Sequence, residues 1–346
     1  MRSLWLLALG VSLSCVPKSE ACTTFLLQGE QQLVVGKSYD WNQDEGLVLF
    51  NKAGVQKRAL VFDPRDRPAT WVSRYASLTF NQYGREMPNG GMNTAGLVVE
   101  VMWLNGSEYP PQDSRPVLNE LQWIQYQLDR FSTVSEMVAH APTLRVSKVY
   151  APVHYMACDK TGGCAAFEYL YGALVVTYRE GAPVRVLTNH PHGTATQHLR
   201  GASTPEGTGS LARFTIASRA TSSRRDDSSL YRGGFELLQQ VSQGEHSKWR
   251  ILYDPMALKV YFQTYREAGI KRIDLSALDP SCQKPVQMLD MHTGEAGDAA
   301  ARFSDYATAS NEALLMRTTA SIHQHLPAGA VSLVARYPET LRCGEP

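Results

Sequence analysis

The stretch KSEACTTFLLQGEQQLVVGKSYDW, Lys18 to Trp41, limits the chain most, because it sets a cysteine directly behind an export-type cleavage site and at the head of a hairpin. Met1 and Arg2 form a short positive start, LWLLALGVSL is an apolar run, and Ser19-Glu20-Ala21 carries small residues at both recognition positions of a signal peptidase. That pattern reads as a secretory signal over residues 1–21, leaving residues 22–346 as one domain that begins with Cys22. The apolar run is shorter than the roughly 18 residues needed to span a bilayer, and no other run of that length follows, so no transmembrane segment is expected. The expected location is exported, periplasmic or secreted. An alternative start is a lipoprotein signal with Cys15 as the lipidated residue, although Val11-Ser12-Leu13-Ser14 lacks the leucine usual at the third place before such a cysteine.

TTFLLQ and QLVVGKSYDW are strand-like runs around Gly29-Glu30-Gln31, which reads as a hairpin turn. A turn centred on Glu30 sets Cys22 opposite Ser38, brings Asp40 diagonally across on the same face, and puts Lys37 on the other face unless a bulge intervenes. Without Cys15, five cysteines remain: Cys22, Cys158, Cys164, Cys282 and Cys343. An odd count in an oxidising compartment leaves one free thiol. Cys158 and Cys164 flank the turn sequence DKTGG between VHYMA and AAFEY, so they face each other across a second hairpin. Cys282 and Cys343 pair by elimination, and Cys22 stays free. A cysteine at the first position of a mature chain carries its own base, since the α-amine has a pKa of about 7.7 to 8 and can take the thiol proton.

NGGMNTAGLVVEVMWL reads as a glycine turn followed by a buried strand. Leu118, Leu121, Ile124 and Leu128 have helical spacing, and Thr133 with Glu136 forms a capping box for a second helix. Strand-like runs recur at 150–157, 165–170 and 173–178, and in WRILY and LKVYF around Asp254-Pro255. Residues 209–221, 229–243 and 305–323 read as helices. Strands in runs and helices in blocks define an α+β layered domain. A net charge of +1 over 346 residues excludes the concentrated basic surface that nucleic acid requires. His190, His192, His198, His323 and His325 have no spacing that closes a metal-ligand set, so no cofactor is expected.

With these residues in place, the chain resembles the choloylglycine hydrolases, or linear amide C-N hydrolases, a family that includes bile salt hydrolases and penicillin V acylases. CTTFLLQ with GKSYDW, GGMNTAGLVVEVMWL, VRVLTNHP and SLARFTIAS follow in that family's order, from Cys22 to about Ser218. The resemblance implies an N-terminal nucleophile hydrolase fold, a four-layer αββα sandwich of two antiparallel sheets between helices. It also implies Cys22 as nucleophile, Asp40 as the holder of its amino group, and Asn189 as a side-chain oxyanion donor. Trp103 falls where a backbone N–H is the second donor, and Arg213 matches the arginine near the nucleophile, with Arg219 as its alternative. Taken alone, Asn189 before His190-Pro191 is an ordinary turn residue and Arg213 an ordinary helix charge. Lys37 stands where most members of the family carry arginine; it keeps the charge that favours a thiolate and loses the planar fork. Tyr39, Trp41, Tyr83, Met92 and Met102 cluster near these blocks, as either core or the wall of an apolar acyl site. The expected partner is a small N-acyl amide (penicillin V, a conjugated bile salt or an acylated signalling molecule), and a homo-oligomer is compatible, tetrameric in the resembled family. The other readings are a non-catalytic exported binding protein of the same fold and, less suited to a cysteine on a strand, a papain-like protease.

Overall fold

The computed structural model describes residues 21–201 and 207–344; the expected signal segment falls, but for Ala21, outside the described residues. The first strands, β1 (Thr23–Gln28) and β2 (Leu33–Asp40), are buried almost throughout, on both faces. Phe25, Leu27 and Val34 pack outward against Phe214, Ala217, Leu237 and Leu238 of the helices Ser210–Ala220 and Leu230–Gln240. Leu26 and Val35 point the other way, into a core shared with Phe80, Met92, Met102 and Met156 of a second sheet. Phe80 packs edge-on against Phe262 at 5.5 Å, so rings from both sheets interlock.

The first sheet has seven strands, ordered Val186–Leu187, β1, β2, Ser247–Asp254, Lys259–Thr264, Lys271–Asp274 and Gly297–Asp298. The second, among the described residues, has nine, with Val98–Trp103 fourth in order between Val153–Cys158 and Gly90–Asn93. On its outer face Val99, Val101, Tyr155 and Phe167 meet Trp123, Leu128 and Met137 of the helices Gln122–Arg130 and Val134–His140. The order is helix, sheet, sheet, helix, the αββα sandwich expected from the sequence.

Three details depart from the sequence reading. The GGMN segment is a strand, Gly90–Asn93, and not a turn. Leu118 lies in a short strand, and the following helix starts at Gln122, whose backbone N–H donates to Asn119 Oδ1 at 2.8 Å. The hairpin turn has four residues, because Gln28 pairs with Leu33 and Thr23 with Ser38. Asp227 makes that length: its carboxylate accepts the N–H groups of Gln31 and Gln32 at 3.1 and 3.2 Å. The capping box of Thr133 and Glu136 forms as read. So do the two cysteine pairs, Cys158 with Cys164 and Cys282 with Cys343, leaving Cys22 as the free thiol among the described residues. Among the described residues no helix is long and apolar enough to cross a membrane.

Gly29 is required at this turn because a Cβ there would lie 2.0 Å from Asp227 Oδ1 and 2.8 Å from Leu230 Cδ1. Gly29→Ala is expected to lower the unfolding free energy by about 1 to 3 kcal/mol. Adding Asp227→Ala should recover part of that loss in urea denaturation. Strictly additive losses would mean that the carboxylate does not occupy this space.

Candidate active site

The four-residue turn moves the hairpin by one place relative to a turn centred on Glu30, and in a strand pair one place exchanges the faces. Tyr39 and Lys37, not Ser38 and Asp40, therefore share the inter-sheet face with Cys22. Asp40 points to the helical side with Ser38 and Thr23. Both corrections follow from the register Thr23 to Ser38 and Thr24 to Lys37. The backbone of Cys22 lies between its thiol on one face and Asp40 on the other. The thiol is buried and faces the main-chain oxygen of Asp40, 4.0 Å from Sγ.

On the helical side, Arg213 converges on the same backbone. It is buried on the helix Ser210–Ala220, with Nη1 donating to Cys22 O and to Thr23 Oγ1, each at 2.6 Å. Its Nη2 donates to Asn189 Oδ1 at 2.8 Å. Arg219, the alternative, is exposed on a later turn of this helix. The Asn189 oxygen also accepts the Cys22 N–H at 2.8 Å, while Nδ2 donates to the carbonyl of Trp103 at 2.8 Å. Arginine can only donate, so the orientation of the amide is fixed: its oxygen faces Arg213 and its NH2 faces Trp103. One of the two NH2 hydrogens serves Trp103.

Asp40 is buried and accepts at Oδ1 from Ser38 Oγ at 2.8 Å and Ser247 Oγ at 2.5 Å. Its Oδ2 accepts no hydrogen bond, and the nearest cation is Arg213 Nη1 at 3.9 Å. Burial pushes the carboxyl pKa up, against the pull of Arg213 and the two hydroxyls. Burial also raises the Cys22 thiol; the Lys37 ammonium opposes this, the Asp40 charge adds to it, and Arg213 opposes it.

Lys37 is fully buried between the sheets. Its Nζ donates to Val101 O and lies 3.4 Å from Glu100 Oε2. Glu100 in turn accepts Tyr253 OH at 2.5 Å. A Cβ at Gly90, directly across the strand, would lie 2.3 Å from the Glu100 carboxylate, so the bare glycine makes room for this charge. Sequence reasoning missed Glu100, although a lone glutamate in the apolar run VVEVMW is the signal that could have found it.

Above the thiol opens a cleft lined by Cys22, Tyr39, Trp41, Tyr83 and Trp103. Trp41 and Trp103 lean together at 5.7 Å, and Tyr150 meets Trp103 at 6.1 Å. Met92 and Met102 do not line it: both are buried in the inter-sheet core, and Met102 Sδ accepts Thr24 Oγ1 at 3.0 Å. The opposite wall, unforeseen from the sequence, comes from the chain's far end, with Leu315, Ile322, Leu326, Val331 and Val334. Among the described residues no lysine or arginine lines the cleft, and the one carboxylate there, Glu120, already accepts the N–H groups of Val149, Tyr150 and Ala151 at 2.8, 2.7 and 2.8 Å.

The αββα sandwich, with a cysteine at the head of the first strand of one inner sheet, is the fold of the N-terminal nucleophile hydrolases. Residues 22–200 match the linear amide C-N hydrolases, choloylglycine hydrolase family, and the chain belongs to that family. A penicillin V acylase from Pectobacterium atrosepticum is 29% identical over 192 residues, which is 50% of this chain and 50% of that protein. The penicillin V acylase structure from Agrobacterium tumefaciens superposes with a TM-score of 0.72 at 24% identity, over 83% of this chain and 98% of the other. A variant of conjugated bile acid hydrolase from Clostridium perfringens gives 0.64 at 15% identity, over 80% and 98%.

Burial raises Glu100 from 4.5 to about 7, although Lys37 pulls it down. Between these pH values the folded state binds the proton that the unfolded chain releases, so stability should fall as pH rises through this window, by about 3 kcal/mol at most. Urea unfolding of the wild type and Glu100→Gln across pH 4 to 8, roughly that window, should show a shallower slope in the variant, where Asp40 and Asp129, also raised by burial, still contribute. The same slope in both would assign it elsewhere.

Proposed function

We propose that the protein is a thiol amidohydrolase that cleaves the linear amide of an N-acyl substrate, with Cys22 as nucleophile once residues 1–21 have been removed on export. The observation that carries this reading is the Asn189 amide, which bridges Cys22 N, Arg213 and Trp103 O, so that it is tied to two residues, Cys22 and Trp103, that line the apolar cleft. The family match, which begins at Cys22, supports the same starting residue.

In the described chain Cys22 N is a peptide nitrogen with one hydrogen. Cleavage after Ala21 makes it an amine, and the unpartnered Asp40 Oδ2 is an acceptor for the hydrogens it gains. The amine takes the thiol proton and the thiolate attacks the substrate carbonyl carbon. The free Asn189 N–H and the backbone N–H of Trp103 stabilise the oxyanion. As the tetrahedral intermediate collapses, the C–N bond breaks and the leaving amine takes the proton from the Cys22 ammonium. Water, deprotonated by the same amine, then hydrolyses the thioester, releasing the acid and restoring the thiol. Arg213 holds the Cys22 carbonyl and the Asn189 oxygen throughout, and Lys37 favours the thiolate from below.

The acyl group should be apolar and uncharged, since the described residues of the cleft offer aromatic and aliphatic surface and no cation to pair with an anionic acyl chain. Penicillin V, with its phenoxyacetyl group, is the first substrate to test, because two of the similar proteins are penicillin V acylases.

Chain starting at Cys22 should hydrolyse penicillin V, and Cys22→Ser should fold normally and lose most of the activity. Asn189→Ala should slow acylation by about 10² to 10³ with iodoacetamide labelling of Cys22 nearly unchanged. Asp40→Asn should instead shift the pH dependence of labelling. A methionine retained before Cys22 should abolish turnover. Comparable turnover by Cys22→Ser would remove the assignment of the nucleophile.

A further inference from the structure

Behind Asn189, buried between the sheets, lies a histidine–carboxylate pair that no step above uses. His154 on the strand Val153–Cys158 is 0% exposed and Glu168 on the neighbouring strand Cys164–Leu170 is 2% exposed. His154 Nδ1 is 3.0 Å from Glu168 Oε1, and Nε2 is 2.6 Å from the carbonyl oxygen of Thr188. Each ring nitrogen faces an acceptor. A ring that makes both contacts either donates from both nitrogens or receives a proton from the carboxyl on one side, so the pair as a unit always presents an N–H to Thr188 O.

That carbonyl belongs to the peptide group joining Thr188 to Asn189. The N–H end of the same peptide donates to Ser210 Oγ at 2.9 Å, and Ser210 Oγ donates on to Thr188 Oγ1 at 3.0 Å. Both ends of this one peptide plane are thereby held, the carbonyl by a strand of the second sheet and the N–H by a helix on the other side. Glu168 also accepts the backbone N–H of His192 at 3.0 and 3.3 Å, three residues beyond Asn189, at the start of the helix His192–Gly201. Two strands, a turn and two helices meet at the backbone that aims Asn189.

We propose that His154 and Glu168 are positioning residues that clamp the Thr188–Asn189 peptide and so direct the Asn189 amide to the oxyanion. The inference rests on the reading of Asn189 as an oxyanion donor. A misplacement of about 1 Å at such a donor can cost about 10²-fold in rate even when the change lies away from the reacting atoms. The pair touches neither the thiol nor the cleft, so its loss should leave the nucleophile as it is.

The test compares His154→Phe and Glu168→Leu, which remove the clamp, with Glu168→Gln, whose amide can donate to Nδ1 and accept from His192 while the ring keeps its N–H on Thr188 O. With penicillin V as probe, the first two variants should lose about 10²-fold in kcat with KM little changed. Glu168→Gln should stay within about fivefold of the wild type, and iodoacetamide should label Cys22 at the wild-type rate in all three. Combining His154→Phe with Asn189→Ala should add little to Asn189→Ala alone. A loss in Glu168→Gln as large as in Glu168→Leu, or a parallel loss of thiol labelling, would overturn the clamp and leave a general structural role.

A readout independent of turnover separates this from the reading beneath it. Hydrogen-exchange protection of the Asn189 side-chain NH2, followed by NMR, should be lost in His154→Phe and kept in Glu168→Gln. Unchanged protection in a folded His154→Phe would overturn the proposal whatever the activity. Wild-type turnover by Asn189→Ala would overturn the oxyanion reading instead.

Discussion

Everything at the site depends on the pairing of β1 with β2. A four-residue turn held by Asp227 joins Gln28 to Leu33, and from that pair every side chain on both strands receives its face. With this register the thiol shares an apolar face with Tyr39 and Lys37, and the carboxyl of Asp40 lies on the far side with Arg213. A slip of one residue would put the lysine among helices and the aspartate between sheets. The cost of exchanging two buried charges with apolar residues makes the slip prohibitive.

Buried charge recurs through the molecule, and near the site it is paired. Lys37 has Glu100; Lys57 lies 2.6 Å from Glu86 and 2.9 Å from Asp129; Arg213 has the backbone of Cys22 and the carboxyl of Asp40. Such pairs add little net stability over apolar substitutes, but removing one member leaves a stranded charge. What they supply here is location. The Lys57 cluster anchors Glu86, which sits at a left-handed φ of 71° in the loop that brings Tyr83, Met87 and Asn89 to the cleft.

The layers were legible in the sequence because burial on both faces leaves near-continuous apolar strands, and the capping box at Thr133 and the cysteine pairs are local signals. The convergence of Cys22, Asn189, Arg213 and Trp103 was legible only through the order of the motifs, since their separations in sequence carry no geometric information. The register was not legible: the turn length is decided by Asp227, roughly two hundred residues downstream along the chain. Met92 and Met102 show the same limit, because an apolar residue near a motif reads alike whether it faces the cleft or the core. His154 and Glu168 sit in strands that are otherwise apolar, as Glu100 does. A lone polar residue in such a strand is the one mark that buried polar machinery leaves in a sequence.

The far wall of the cleft is made by residues 315–334, and the tail beyond it is tied back by the Cys282–Cys343 bond and by the pairing of Arg342 with Gln56. Cys22 thus leaves the ribosome well before residues 315–334, the wall that it faces across the cleft. A nascent or truncated chain can own a complete thiol and still have nothing to grip with.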